Sequence, residues 1–210
     1  MYGNMAGIIL AGGLSRRMGG GDKGLLMLGG QPLLAHIAAR LAPQVQAMAL
    51  NANGEPERFR DLGLPVVPDT VPGFPGPLAG VLAGLDWAAA NTQCQAIVTA
   101  AGDTPFFPPD LAARLAAAAA DRPGTIAVAR SAGRLHPTFA LWPLAVRAAL
   151  ESFLVDEGNR RVLSLIERQQ SIAVDFEPVA VSGREIDPFF NINTPGDLAE
   201  AETILRGLRT

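Results

Sequence analysis

The chain has 210 residues, of which 49% are hydrophobic and 18% charged. That composition excludes an intrinsically disordered protein, and the length suits one domain with a full core. One cysteine, Cys94, and two histidines, His36 and His136, exclude a disulfide framework and a Cys- or His-rich metal cage. A net charge of −3 provides no global field for nucleic acid or anionic lipid, so neither is expected as a partner.

The N-terminal MYGNMAGIIL lacks a basic region followed by a long apolar run, so no signal peptide is expected. Apolar stretches are broken by Gly, Pro or Gln, so no membrane span is expected and the cytoplasm is the default compartment. Ala6–Ala11 is a short continuous apolar run and reads as a buried strand. A Gly-rich loop is expected from there to about Gly30. Pro32 then opens a helix, with Leu33, Leu34, Ile37 and Leu41 at helical spacing. Ala47–Leu50 and Val66-Val67 read as strands. Residues 72–77, with three prolines, are irregular and feed a helix over Leu78–Ala90. Ala96–Ala101 is a further buried strand, and Pro108-Pro109-Asp110 begins an alanine-rich helix to about Ala120. Ile126–Ala129 and Thr138–Leu141 read as strands; Leu144–Leu154 and Arg161–Arg168 read as helices. Thr194-Pro195-Gly196-Asp197 has the form of a helix start: Thr as cap, Pro first, an acid at the third position. Strands alternating with helices predict an α/β fold: a mostly parallel sheet with helices on both faces, a three-layer sandwich over residues 1–210.

The chemistry gathers at strand ends. Of 17 basic residues only Lys23 is lysine. In a chain that otherwise uses Arg throughout, that position selects a compact ammonium over a planar fork. Arg16, Arg17 and Lys23 lie close together in the Gly-rich loop, against one acid, Asp22. Glycine lets backbone N–H groups approach phosphate oxygens, and the loop leaves the C-terminal end of a strand, where open α/β sheets bind ligands. Gly19, Gly21 and Gly24 match G-x-G-x-x-G, but too far past the strand for a dinucleotide fingerprint, and Lys23 lacks the context of a P-loop. Asp69 and Asp103 each follow a strand. Parallel strands bring both carboxylates to the rim of the loop, where Asp103 suits a Mg²⁺ shared with phosphate oxygens and Asp69 suits ligand contact. Either also reads as a turn residue before Thr. Asn51, Asn191 and Asn193 are expected at strand ends too, as turn residues or as donors and acceptors for a ligand. Trp87 and Trp142 read as packing residues.

Several segments together resemble the molybdenum cofactor guanylyltransferase family. They are Leu10-Ala-Gly-Gly-Leu-Ser-Arg-Arg-Met-Gly-Gly-Gly-Asp-Lys23, Asn51-Ala-Asn53, Pro68-Asp69, Gly76-Pro-Leu-Ala-Gly80, Asp103-Thr-Pro-Phe, His136-Pro-Thr-Phe and Asn191-Ile-Asn193-Thr-Pro. The resemblance implies a nucleotide-diphospho-sugar-transferase-like fold. It implies transfer of GMP from GTP to the terminal phosphate of molybdopterin, with Mg²⁺ as cofactor. It implies GTP contacts at Leu10, Ala11, Gly12, Gly13, Lys23, Asn51, Asp69 and Asp103, with Asp103 holding the metal. Arg17 and Lys23 would neutralise the leaving pyrophosphate. His136, Asn191 and Asn193 would lie on the molybdopterin side, in the C-terminal part of the domain. A monomer is expected, with cofactor-delivering and cofactor-accepting proteins as partners. The rivals are a cytidylyltransferase on the same cofactor, another sugar-phosphate nucleotidyltransferase, and a non-catalytic GTP-binding carrier.

Overall fold

The computed structural model describes residues 4–11, 23–71, 76–156 and 161–208. Gly12, Gly13, Arg16 and Arg17 lie outside the described residues. The strands in chain order are β1 (Met5–Leu10), β2 (Met27–Leu28), β3 (Gln31–Pro32), β4 (Ala47–Asn51), β5 (Val66–Val67), β6 (Ala96–Ala101), β7 (Ile126–Ser131), β8 (Arg134–Pro143), β9 (Ser171–Asp175), β10 (Val179–Val181) and β11 (Arg184–Ile186). The helices are α1 (Leu33–Leu41), α2 (Pro77–Asn91), α3 (Leu111–Ala118), α4 (Arg147–Asp156), α5 (Val162–Arg168) and α6 (Pro195–Leu208).

The main sheet has the order β5-β4-β1-β6-β8-β7-β9. β5, β4, β1 and β6 run parallel, so Val67, Asn51, Leu10 and Ala101 end on one rim. β8 is antiparallel to both β6 and β7. Its start and the end of β7 therefore come to that same rim.

Side chains alternate across the strands, and the alternation separates two cores. Ile9, Leu50 and Val98 pack towards α1 and α3. Ile8, Ala49 and Ile97 pack towards α2, α4 and α5. This is the three-layer sandwich expected from the alternating pattern. Within it Thr99 is fully buried, and its Oγ1 accepts from Trp142 Nε1 at 3.1 Å, so the buried indole is satisfied. Trp142 is a packing residue, as expected, and Trp87 packs against the same core. Cys94 is a buried free thiol.

A third, smaller core ties the ends of the chain together. Leu28 and Leu33 meet Val181, Ile186, Ile192 and Ile204 there. Gly29 N donates to Glu202 Oε1 at 2.7 Å, fastening the β2–β3 hairpin to α6.

Several sequence expectations need correction. The loop does not run to Gly30: a 3-10 turn over Lys23–Leu25 and the β2–β3 hairpin precede it, because Leu25 and Leu28 find apolar partners. Thr138–Leu141 is the middle of a longer strand, β8, paired with β7 across the Ala132-Gly133 turn. Both turn residues have positive φ, 45° and 75°, the combination of a tight hairpin in which glycine costs least. Strands β9 to β11 were not among the sequence expectations. The alanine-rich helix ends at Ala118, and α4 begins at Arg147 after a 3-10 turn.

Candidate active site

The C-terminal rim of the parallel strands carries most of the described site residues. At β1, Leu10 O accepts from Gly102 N at 2.9 Å, and Ala11 N donates to Asn51 O at 2.9 Å. These bonds lock the ends of β1, β4 and β6 together, so Leu10, Ala11, Asn51 and Asp103 keep fixed relative places.

Asn51 is almost fully buried, at 3% exposure. Its Nδ2 donates to Val67 O at 3.1 Å and to Asp69 Oδ1 at 2.9 Å. Asn53 completes the clamp: its Nδ2 donates to Asp69 Oδ2 at 2.8 Å, and its Oδ1 accepts from Asp69 N at 2.9 Å. Each carboxylate oxygen of Asp69 thus has a neutral amide partner. The charge keeps spare lone pairs for ligand N–H or O–H groups, and Asp69 is oriented for ligand contact.

Gly80, in the first turns of α2, makes that buried asparagine possible. A Cβ at residue 80 would stand 2.2 Å from Asn51 Oδ1. The helix backbone can approach the end of β4 only because no side chain intervenes.

The second group centres on Lys23. Its Nζ donates to Asp103 Oδ2 at 2.7 Å, to Asn193 Oδ1 at 2.6 Å and, more weakly, to Asn191 Oδ1 at 3.4 Å. Asp103 Oδ1 accepts from Thr104 Oγ1 at 3.1 Å. Three of these residues lie far apart in sequence. Their convergence depends on one backbone bond, Ile192 N to Asp103 O at 3.0 Å, which lays the 191–193 segment across the end of β6. Asn191 and Asn193 are therefore not at strand ends, as the sequence suggested. They sit in the loop between β11 and α6, because Ile192 between them is buried in the small third core. Asp197 also serves that loop: its Oδ2 accepts from Asn193 N and Thr194 N, each at 2.8 Å. These bonds hold the Asp197 carboxyl below its usual range.

The groups that accept from the Lys23 ammonium are one carboxylate and two amide oxygens. Hard oxygen donors already gathered round a positive charge suit a divalent cation such as Mg²⁺. Among the described residues there is no group of three or more His, Cys, Asp or Glu side chains that could hold a metal alone. Substrate phosphates and water would add to the coordination that these oxygens begin.

Next to this group lies a cleft of about 390 Å³ lined by Thr104, Asn191 and Asn193 together with Arg134, His136 and Asp187. His136 reaches it because β8 begins beyond the end of β6. Opposite β7, Val128 pairs with Ala140 but Ala129 pairs with His136, so residues 137–139 bulge out. Bulges of this kind re-aim side chains beside ligand sites. Among the polar residues here, Ser131, Arg134 and Asp187 had no motif to flag them; Arg134 and Asp187 are recognised by their place in the cleft, and Ser131 by its hydrogen bonds to His136 and Asp187.

A mostly parallel α/β sheet whose rim brings a lysine, a carboxylate and amide oxygens together suits the phosphates of a nucleotide, and the family comparisons make the class that of a nucleotidyltransferase. The family model described as MobA-like NTP transferase domain matches residues 7–173. A molybdenum cofactor guanylyltransferase of Mesorhizobium japonicum is 62% identical over 205 residues, covering 98% of each chain. One from a Bradyrhizobium species is 50% identical, covering 94% of this chain and 92% of that one. The chain belongs to the molybdenum cofactor guanylyltransferases, within the MobA-like nucleotidyltransferase family. Among solved structures, molybdopterin-guanine dinucleotide biosynthesis protein A of Archaeoglobus fulgidus superposes with a TM-score of 0.75 at 23% identity, covering 96% of this chain and 99% of that one. Rv0371C of Mycobacterium tuberculosis, solved in complex with manganese, has a TM-score of 0.63 at 22% identity, covering 95% and 98%. At those identities the likeness is one of fold.

Proposed function

We propose that the chain transfers GMP from GTP to the terminal phosphate of molybdopterin, with or without bound molybdenum, releasing pyrophosphate and forming the guanine dinucleotide form of the cofactor. The observation that carries this reading is the meeting of Lys23, Asp103, Asn191 and Asn193 beside a cleft large enough for a second substrate.

A terminal phosphate oxygen of the acceptor attacks the α-phosphorus of GTP. The new P–O bond forms as the bond to the β-phosphate oxygen breaks, and pyrophosphate leaves with the electron pair. The nucleophile is already an anion, so no general base is needed. Catalysis then rests on positioning and charge neutralisation. Lys23 binds phosphate oxygens and neutralises charge on the leaving group. Asp103, with the amide oxygens of Asn191 and Asn193, would hold Mg²⁺. When bound, that ion supplies Lewis-acid stabilisation of phosphate charge. Asp69, held by Asn51 and Asn53, contacts the nucleoside of GTP, and the Leu10–Ala11 backbone lines its path. Gly12, Gly13 and Arg17 belong to the same proposed site from the family resemblance. The reaction is assigned to the cytoplasm, where the GTP pool lies. Among the described residues no helix is long and apolar enough to cross a membrane.

The test is a donor panel of GTP, CTP and UTP with molybdopterin as acceptor and Mg²⁺ present, read by pyrophosphate release. GTP is expected to be the preferred donor, and release is expected to stop on metal chelation. Preference for CTP would make the enzyme a cytidylyltransferase. GTP binding without pyrophosphate release would make it a carrier.

A further inference from the structure

Ser131 Oγ stands between two side chains, His136 Nε2 at 2.7 Å and Asp187 Oδ1 at 2.8 Å. An ionised carboxylate only accepts, so the serine hydroxyl donates to Asp187. That hydroxyl has no second proton, so His136 Nε2–H must donate to Ser131 Oγ. The three side chains form a directed relay, and the imidazole is held as its Nε2–H tautomer. The ring is further fixed by stacking on Phe189, with centroids 4.4 Å apart.

The consequence falls on the other ring nitrogen. Nδ1 of the neutral ring carries a lone pair and makes no hydrogen bond to any described residue. Among the described residues no buried side-chain nitrogen or oxygen lacks a partner, so Nδ1 is reached from the cleft that His136 lines. Asp187 is exposed and lines the same cleft, and the bonds from Ser131 Oγ and Phe189 N both end on its Oδ1, which leaves Oδ2 without a partner among the described residues. Burial holds the His136 pKa below its usual value, with Arg134 adding to that and Asp187 opposing it. A neutral ring near pH 7 keeps Nδ1 an acceptor.

Beside the Arg134 guanidinium, His136 and Asp187 therefore present two acceptors to the cleft, which is also lined by Asn191 and Asn193, the amides that accept from the Lys23 ammonium. A dianionic phosphate has no proton to give to an acceptor pair. A heterocycle with an N–H edge does.

The geometry points to His136 Nδ1 and Asp187 Oδ2 as the groups that read the amide N–H and 2-amino donors of the acceptor's pterin ring. The ring lies against this pair in the cleft, and its phosphate runs towards Asn193 and Lys23. Ser131 is a positioning residue that sets the tautomer. This assignment rests on molybdopterin being the acceptor.

Two measurements test it. In steady-state kinetics at saturating GTP, His136→Phe keeps an aromatic ring on Phe189 and removes both nitrogens. Its KM for molybdopterin is expected to rise about tenfold, with kcat and the KM for GTP within about twofold. Ser131→Ala is expected to raise the same KM by a smaller factor. An unchanged molybdopterin KM in His136→Phe overturns the assignment. The second measurement titrates the wild-type protein with two fluorescent pteridines. One is 6-hydroxymethylpterin; the other is its 2-oxo counterpart, 6-hydroxymethyllumazine, in which a carbonyl replaces the 2-amino donor. The pterin is expected to bind about tenfold tighter; equal affinity, or no binding by either, overturns the assignment even if the variants fail to fold. A wild-type protein that releases no pyrophosphate from GTP and molybdopterin defeats the proposed function instead, while the pteridine pair still reports on the cleft.

Discussion

Lys23 donates to three oxygens that approach from different elements, β6 on one side and the 191–193 loop on the other. A rotatable ammonium can serve them together; a planar guanidinium aims its donors in one plane. Lys23→Arg is therefore expected to lower kcat by about a hundredfold despite the conserved charge, measured by pyrophosphate release. Asp103→Ala removes the only carboxylate of that group. It is expected to abolish metal-dependent transfer while leaving the fold intact by circular dichroism; near-normal turnover would remove Asp103 from the site. Gly80→Ala is a steric test of the opposite edge. The added methyl must displace Asn51 or push α2 outward, and either loosens Asp69. GTP affinity is expected to fall about tenfold or more, read by calorimetric titration.

At the scale of elements, α6 begins with a reciprocal cap. Asp197 N donates to Thr194 Oγ1 at 3.2 Å while Asp197 Oδ2 accepts from the backbone N–H groups of Asn193 and Thr194. Asp197→Ala is expected to cost roughly 1 kcal/mol of stability at neutral pH. Asp197 has a folded pKa below its unfolded one, since its charged form accepts those bonds. Its contribution is therefore complete above the ordinary carboxylate pKa and is lost as pH falls through the folded value. The difference between wild type and Asp197→Ala, followed by urea unfolding, is expected to hold constant from about pH 5 to 7 and shrink below about pH 4. The opening of this helix was legible in Thr-Pro-Gly-Asp because a cap is a local device. The bulge in β8 was not, because it exists only where β7 lies opposite. His136 stood out as one of two histidines and by family likeness. Its partners Ser131 and Asp187 did not, since neither has a spacing that announces a relay.

The whole molecule joins its two ends at the site. Lys23 arrives from the N-terminal side, and Asn191 and Asn193 arrive from the C-terminal side, seated by the third core. Ile192 is fully buried there. Ile192→Ala is expected to cost about 2–5 kcal/mol and to lower the transfer rate as well, because the asparagines on either side lose their seat. Urea unfolding with parallel pyrophosphate assays checks both effects.

The alternation of strands and helices, the two faces of the sheet, and the placing of Asp69 and Asp103 on the rim of β1 were all determined by the sequence itself. Apolar periodicity and strand-end position are local properties, and parallel connection carries them to one edge. The contacts of Lys23 with Asn191 and Asn193, the clearance of Gly80 for Asn51, and the tautomer of His136 were decided only by the tertiary structure. Each joins groups distant along the chain, and no local pattern encodes the direction from which a distant side chain arrives.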